Sequence, residues 1–316
     1  MTLHVIKPGL ASTFQDLGRS GFQHLGVPAN GAMDSDAHSL ANLLVGNEMA
    51  EATLEVLLQG PTLCFQVGTV IALAGADLDA QLDGQPLPPL RAVRVRPGAV
   101  LAFGKRRCGA RAYLAVHGGY RLPRTLGSLS TNGRAGYGGH AGRPLQAGDV
   151  ISIRSCFANP PRVDATGWQE QANDAPIRLM AGREWHLFSD AARHHLLGSA
   201  YRIGNDSERM GYRLSGQALA LLSPVNLLSE AVTFGSVQVP PNGQPIILMA
   251  DRQTTGGYPR IAQVISVDLP RLAQKLPGDT VYFSLVDIDQ AQHLSQARDA
   301  RLARLALHSL QGSQRP

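Results

Sequence analysis

Apolar residues in this chain cluster in short runs bounded by turn formers, the pattern of strands rather than long helices. Val70 to Ala74, Ala112 to Val116, Val150 to Ile153 and Ile246 to Ala250 are the clearest runs. Asp83-Gly84 and Asn242-Gly243 stand between apolar runs and predict hairpin turns. Pro97-Gly98 and Pro277-Gly278 each predict a turn into a strand, ending near Phe103 and Phe283, and Gly148-Asp149 introduces another at Val150. Helical spacing is confined to three places. Asp34 to Val45 carries Ala37, Leu40, Ala41 and Leu44 on one face, with Asp34 as cap and Gly46 as stop. Leu269 to Leu276 has Asp268 as cap, Pro270 in the first turn and Pro277-Gly278 beyond its end. Gln290 towards Leu310 places Ala291, Leu294, Leu302 and Leu305 on one side.

The pattern repeats. Asp16-x-x-Arg19-x-Gly21-Phe22 matches Asp206-x-x-Arg209-x-Gly211-Tyr212, and a glutamate, a glycine and an apolar run follow in both halves: Glu55, Gly60 and Val70 to Ala74, then Glu230, Gly235 and Ile246 to Ala250. The first interval from Asp to Glu is about fifteen residues longer, and the surplus falls on the Asp34 helix. Two copies of one β-rich plan, one with an inserted helix, predict a mainly β protein of two tandem barrels with a few short helices. The expected boundaries are 1–160 for the first unit, a polar linker at 161–175 beside Pro160-Pro161, 176–286 for the second unit, and an Arg-rich helix or tail at 287–316.

Composition agrees with two cores. Of 316 residues 44% are hydrophobic and 17% charged, too apolar for a disordered chain, and Gly 34 with Pro 20 is rich in turn formers. The net charge of +5 is concentrated nowhere but in Arg91 to Arg111, where seven basic residues occur without an acid. That stretch alternates with Val93, Val95, Val100 and Leu101 and lacks aromatic stacking residues. It predicts a solvated or partner-facing strand pair rather than a nucleic-acid face. The three cysteines, Cys64, Cys108 and Cys156, have no paired spacing and are expected to be small buried residues. No apolar run approaches membrane-helix length and no signal peptide is visible, so the expected compartment is the cytoplasm. The ten histidines show no metal spacing, and no metal site is expected.

Three segments carry candidate chemistry. Leu126 to Arg143 (LGSLSTNGRAGYGGHAGR) reads either as a surface loop or as a lid whose backbone N–H groups meet an anion. Met249 to Pro259 (MADRQTTGGYP) puts Asp251, Arg252, Gln253, Thr254 and Thr255 at the end of an apolar strand. A carboxylate, a guanidinium, an amide and two hydroxyls there suit a small molecule bearing a carboxylate or amide, while a structural Asp-Arg pair is the alternative. Arg209 to Arg213 places two guanidiniums around a glycine, for anion contact or as shared architecture with Arg19. His117-Gly118-Gly119 reads as a turn, and neither a phosphate-binding P-loop nor a nucleophile elbow occurs.

Taken together, Thr13-Phe-Gln-Asp-Leu-Gly-Arg-Ser-Gly21, Gly26-Val-Pro-x-x-Gly-Ala-Met-Asp34, Ala41-Asn-Leu-Leu-Val-Gly-Asn47, Gly142-Arg-Pro-Leu-x-x-Gly-Asp149, Arg209-Met-Gly-Tyr-Arg-Leu214 and Asp251 through Pro259 resemble the KipA family. That family is also called allophanate hydrolase subunit 2, biotin-dependent carboxyltransferase-like or the C component of 5-oxoprolinase, and the likeness spans about residues 3 to 285. The resemblance implies cyclophilin-like barrels and a subunit of an ATP-dependent 5-oxoprolinase, active with a KipI-like partner and a lactam-utilisation barrel subunit. It implies ATP as the energy source of the complex, not held through a P-loop here. It carries Arg209, Asp251 and Arg252 over as catalytic, and Tyr212, Gln253, Thr254, Thr255 and Tyr258 as substrate-binding. Two other roles fit the same family: a carboxyltransferase component for a urea- or amide-like acceptor, and a non-enzymatic regulator that binds a KipI-like kinase inhibitor.

Overall fold

The computed structural model describes residues 1–154, 163, 165, 168 and 175–312, with side chains through residue 307. These residues form two compact units. One comprises Met1–Arg19, Asn30–Gln169 and Asp299–Pro316, the other Ser20–Ala29 and Glu170–Arg298. The division differs from the expected contiguous one at two places: a ten-residue excursion from the N-terminal half belongs to the second unit, and the C-terminal helix is split between both. The expected linker at 161–175 lies mostly outside the described residues.

In the first unit, a six-stranded and a five-stranded sheet enclose a core of Leu3, Phe14, Leu54, Leu63, Phe65, Leu101 and Leu114, among others. Strand Thr69–Asp77 explains its own unbroken apolar sequence, because both of its faces are covered. Ile71 and Leu73 enter that core, whereas Val70, Ala72 and Ala74 pack on helix α1 (Ser35–Leu44) through Leu40, Ala41 and Leu44. The Asp34 side chain accepts from the Ala37 N–H at 2.9 Å and caps α1 as expected. The sheets run into each other at two corners. Thr69–Asp77 continues into Ala80–Leu82 of the six-stranded sheet after two residues, and a bridge joins Tyr120 to Ile153 beyond strands Cys108–Val116 and Val150–Ser152. A half-closed barrel results.

The second unit closes fully. Its eight-stranded sheet begins at Thr280–Val281 and ends at Phe283–Leu285, two strands separated only by Tyr282. One stretch of chain therefore forms both edges: its first half pairs with Tyr201–Ile203, and its second half runs parallel to Ile177–Ala181. The Ile177 N–H donates to the Tyr282 carbonyl at 2.7 Å across the seam. Joining the two ends of this sheet covers strand edges that would otherwise be open, a standard protection against edge-to-edge association. Among the described residues the fold is thus mainly β, with barrel sheets and four α-helices, and the Asn242-Gly243 turn joins paired strands Ser236–Gln238 and Ile246–Leu248. At the two matching Pro-Gly turns, Gly98 and Gly278 adopt φ of 84° and 93°, which side chains disfavour.

Several sequence expectations need correction. Helix α2 (Asp190–Gly198), capped by Ser189, was not expected from its mixed composition. Helix α3 spans only Leu269–Ala273, and Asp268 does not cap it. The buried Asp268 carboxylate instead takes the Arg178 N–H at 2.7 Å and the Arg178 Nε at 3.0 Å, a pairing distant in sequence that outcompetes a local cap. Helix α4 spans Ile288–Gly312. Ala291 packs on Ile265 and Val267 in the second unit, and Leu305 packs beside Ala165 in the first. The basic stretch is no strand pair, because Val93–Val95 and Val100–Phe103 lie in different sheets. Arg107 is paired with Asp77 and Asp79, and Arg111 is buried beside Glu55. Cys108 is exposed and Cys64 half-buried, since both lie on outward positions of their strands, while Cys156 lies outside the described residues. Among the described residues, no helix is long and apolar enough to cross a membrane.

Candidate active site

Strand Ile246–Leu248 runs between Gly211–Ser215 and Ser236–Gln238 in the barrel wall, and the candidate loop begins where it ends. The Met249 N–H donates to the Met210 carbonyl at 2.9 Å and the Asp251 N–H to the Arg209 carbonyl at 2.8 Å. Those bonds set the side chains of Arg209 and Asp251 face to face. Arg209 Nε lies 2.8 Å from Asp251 Oδ2 and its Nη2 3.0 Å from Oδ1, a two-pronged pair with both partners mostly buried. The geometry makes each the other's counter-ion, so Arg209 offers little free charge to a ligand.

Arg252 differs. Burial lowers its pKa from the ordinary arginine value, with Asp251 next door opposing that shift. Among the described residues its hydrogen bonding is confined to one long contact, Nε to the Val232 carbonyl at 3.5 Å. A largely desolvated guanidinium without a bonded carboxylate is a ready receptor for an anion.

The rest of the loop folds back onto the 230–232 segment as a small two-stranded ribbon. Thr255–Gly256 pairs with Glu230–Ala231, and the Val232 N–H donates to the Thr254 carbonyl at 3.1 Å. Gln253 Nε2 lies 3.5 Å from Oε1 of Gln238, a buried residue that sequence reasoning did not single out. Gln238 Nε2 is itself buried without a hydrogen-bond partner among the described residues. A Cβ on Gly256 would collide with that nitrogen, so a larger residue there would push the Gln238 amide aside. Arg260 anchors the foot of this ribbon. It chelates Glu184 through Nε at 2.9 Å and Nη2 at 2.8 Å, and its Nη2 also reaches Glu230 at 2.8 Å. Burial opposes ionisation of Glu184, but the bonds from Arg260 prevail and hold its pKa below the ordinary value.

Beyond Gly256 the loop borders a cavity of about 630 Å³, lined by Gly257, Tyr258 and Pro259, the 218–227 segment and the Val239 to Gly243 turn. Tyr258 is 48% exposed at its mouth. Its lining residues carry no formal charge, so the cavity suits an uncharged moiety.

Of the expected site residues, Arg209, Asp251, Arg252, Gln253, Thr254 and Thr255 follow one another along the strand end and the ribbon, and Tyr258 stands at the cavity. Tyr212 is set apart: it is buried in the barrel wall, with its hydroxyl donating to the Lys275 carbonyl at 3.5 Å. Gln238 escaped the sequence reading because its position beside the loop depends on strand pairing in the barrel, and a lone glutamine in the Ser236–Gln238 strand was the local sign.

A closed eight-stranded barrel with a polar loop at a strand end defines the class of protein in which known relatives fall. The carboxyltransferase domain family, subdomains A and B, matches residues 25–285, and the chain belongs to that family. It is 40% identical over 297 residues to the C component of Haemophilus influenzae 5-oxoprolinase, covering 92% of this chain and 93% of the relative. It is 38% identical to the corresponding Escherichia coli 5-oxoprolinase component over 96% of this chain and 97% of the relative. The crystal structure of Kluyveromyces lactis urea carboxylase superimposes with a TM-score of 0.90 at 28% identity, covering 96% of this chain but 29% of the larger enzyme.

Proposed function

We propose that this chain is a subunit of an ATP-dependent 5-oxoprolinase, which opens the lactam of 5-oxoproline to glutamate together with a KipI-like subunit and a lactam-utilisation barrel subunit. Identities of 40% and 38% to 5-oxoprolinase components, against 28% to urea carboxylase, support the choice of substrate. The observation that carries the site is Arg252, a largely buried guanidinium whose Nη groups make no hydrogen bond among the described residues.

In this reading Arg252 holds the 5-oxoproline carboxylate by charge-assisted hydrogen bonds, and Gln253 with the Thr254 and Thr255 hydroxyls orients the ring amide. The lactam is a poor electrophile. Transfer of a phosphoryl group from ATP to its carbonyl oxygen prepares the carbon for water, the C–N bond then breaks, and the products are glutamate, ADP and phosphate. Asp251, held by Arg209, fixes the loop and orients a donor or accepts a proton from the attacking water. ATP is the energy source of the complex and is not held through a P-loop in this chain.

The test is reconstitution. The purified chain alone with 5-oxoproline and ATP is expected to release no glutamate, and addition of the two partner subunits is expected to start coupled release of glutamate and ADP. Robust turnover by the isolated chain contradicts the shared-site reading. An assembled complex that ignores 5-oxoproline and carboxylates urea instead favours the carboxyltransferase role suggested by the urea carboxylase likeness.

A further inference from the structure

We propose that Gln23, a residue outside the candidate loop in sequence, is the positioning residue that aims Arg252; the proposal rests on the reading of Arg252 as the anion-binding group. Gln23 opens a short 3₁₀ turn, Gln23–Leu25, on the excursion 20–29 that belongs to the second unit. Its side-chain amide donates from one nitrogen to two carbonyls, Val232 at 3.0 Å and Thr254 at 2.8 Å. These two carbonyls sit on the two chain segments that the ribbon brings together. The Val232 oxygen is also the anchor of Arg252 Nε. The Thr254 oxygen also accepts the Val232 N–H at 3.1 Å.

The chemistry narrows the choice of side chain. Two carbonyl dipoles on neighbouring segments repel unless donors stand between them, and a primary amide supplies two N–H groups from one atom. A carboxylate of the same shape supplies none and repels both oxygens. Asparagine keeps the donors but is one methylene short. If the Val232 carbonyl moves, the Nε contact of Arg252 moves with it, and its Nη groups no longer point where a bound carboxylate needs them.

Gln23→Glu and Gln23→Asn test this, with Arg252→Ala as reference. In the isolated chain, amide hydrogen exchange at Val232 is expected to quicken at least about tenfold in Gln23→Glu, while barrel amides such as Ala262 and Val264 keep their protection. In the reconstituted complex, KM for 5-oxoproline is expected to rise about tenfold for Gln23→Glu and less for Gln23→Asn, with little change in kcat. Unchanged exchange at Val232 overturns the positioning role. Faster exchange with normal KM, in a complex where Arg252→Ala does raise KM, overturns the link between Gln23 and Arg252 alone. A normal KM in Arg252→Ala itself removes the site reading and the proposal together, and lost protection throughout the barrel assigns Gln23 to overall stability instead.

Discussion

Two loops stand out in the sequence for their polar residues and glycines, and the structure uses them oppositely. In Leu126 to Arg143 the polar groups are spent on the protein itself. The buried Asp16 carboxylate accepts from Gly18 N at 2.8 Å, Ser128 Oγ at 2.7 Å, Ser130 Oγ at 2.6 Å and Leu129 N at 2.6 Å. Arg19 binds Asn30 and the Ser130 carbonyl and lies over the Tyr137 ring, while Arg143 chelates Asp149 at 2.8 Å through both Nη atoms. A Cβ on Gly138 would collide with the Ser130 carbonyl and one on Gly142 with the Gly136 backbone, so these two glycines serve tight chain packing. In Asp251 to Pro259, by contrast, Arg252 keeps one long contact among the described residues, and Gln238 nearby has a donor unmatched among them. Polar richness alone does not mark a site. A desolvated guanidinium with spare donors beside a loop of several chemical types is the stronger sign.

Stability measurements can break this contrast. Asp16→Ala is expected to have the largest effect, about 3 kcal/mol, because four donors lose their acceptor in the interior. Denaturant unfolding checks it, and turnover per folded molecule should survive. A loss below about 1 kcal/mol would mean the first loop is less saturated than its bonds imply.

The Arg209–Asp251 pair comes next. Asp251→Ala is expected to cost about 1–2 kcal/mol, since it leaves a mostly buried guanidinium without its counter-ion. Arg209→Ala should cost a similar amount, and the double variant clearly less than the sum of the two. A double-mutant cycle with no coupling would deny that the pair is mutual.

The smallest effect is a pH dependence in the first loop. The hydrogen bonds from Arg143 hold the Asp149 carboxyl down to about 2, against 3.8 for the free group. A folded pKa below the unfolded one means that the contribution is complete above about pH 4 and fades as pH falls through about 2. The melting temperature of Arg143→Ala should therefore lie below that of the parent by a constant margin at neutral pH, and the margin should close in acid. A margin that persists at pH 2 would assign it to packing.

How far the sequence revealed this architecture depended on the range of the interactions. Asp34 caps α1, Asn242-Gly243 turns a hairpin, and the Pro-Gly turns at Gly98 and Gly278 recur at matching places, all from chemistry within a few residues. The paired Asp-x-x-Arg motifs were legible as a repeat, but not their different uses. Arg19 is buried against Asn30 and Ser130, whereas Arg209 answers Asp251. Equally hidden were barrel closure through the split strand at Tyr282 and the Asp268–Arg178 pairing that displaces a helix cap. Gln23 meets Thr254 across 231 residues of chain, a contact that no local pattern encodes. At the site, the loop containing Arg252 was visible as a cluster of chemical types. That Asp251 belongs with Arg209 rather than Arg252 followed only from the fold.

The central claim is that Arg252 binds substrate and does not hold the fold together. Arg252→Ala and Arg252→Lys, each melted and assayed from one preparation in the reconstituted complex, address it directly. The account predicts a fall in kcat/KM for 5-oxoproline of about 30- to 1,000-fold in Arg252→Ala, with a stability change below about 1 kcal/mol. Lysine should restore only part of the rate, because it offers charge without the planar fork. Normal turnover per folded molecule in Arg252→Ala, or a large drop in melting temperature that accounts for all lost activity, would contradict it.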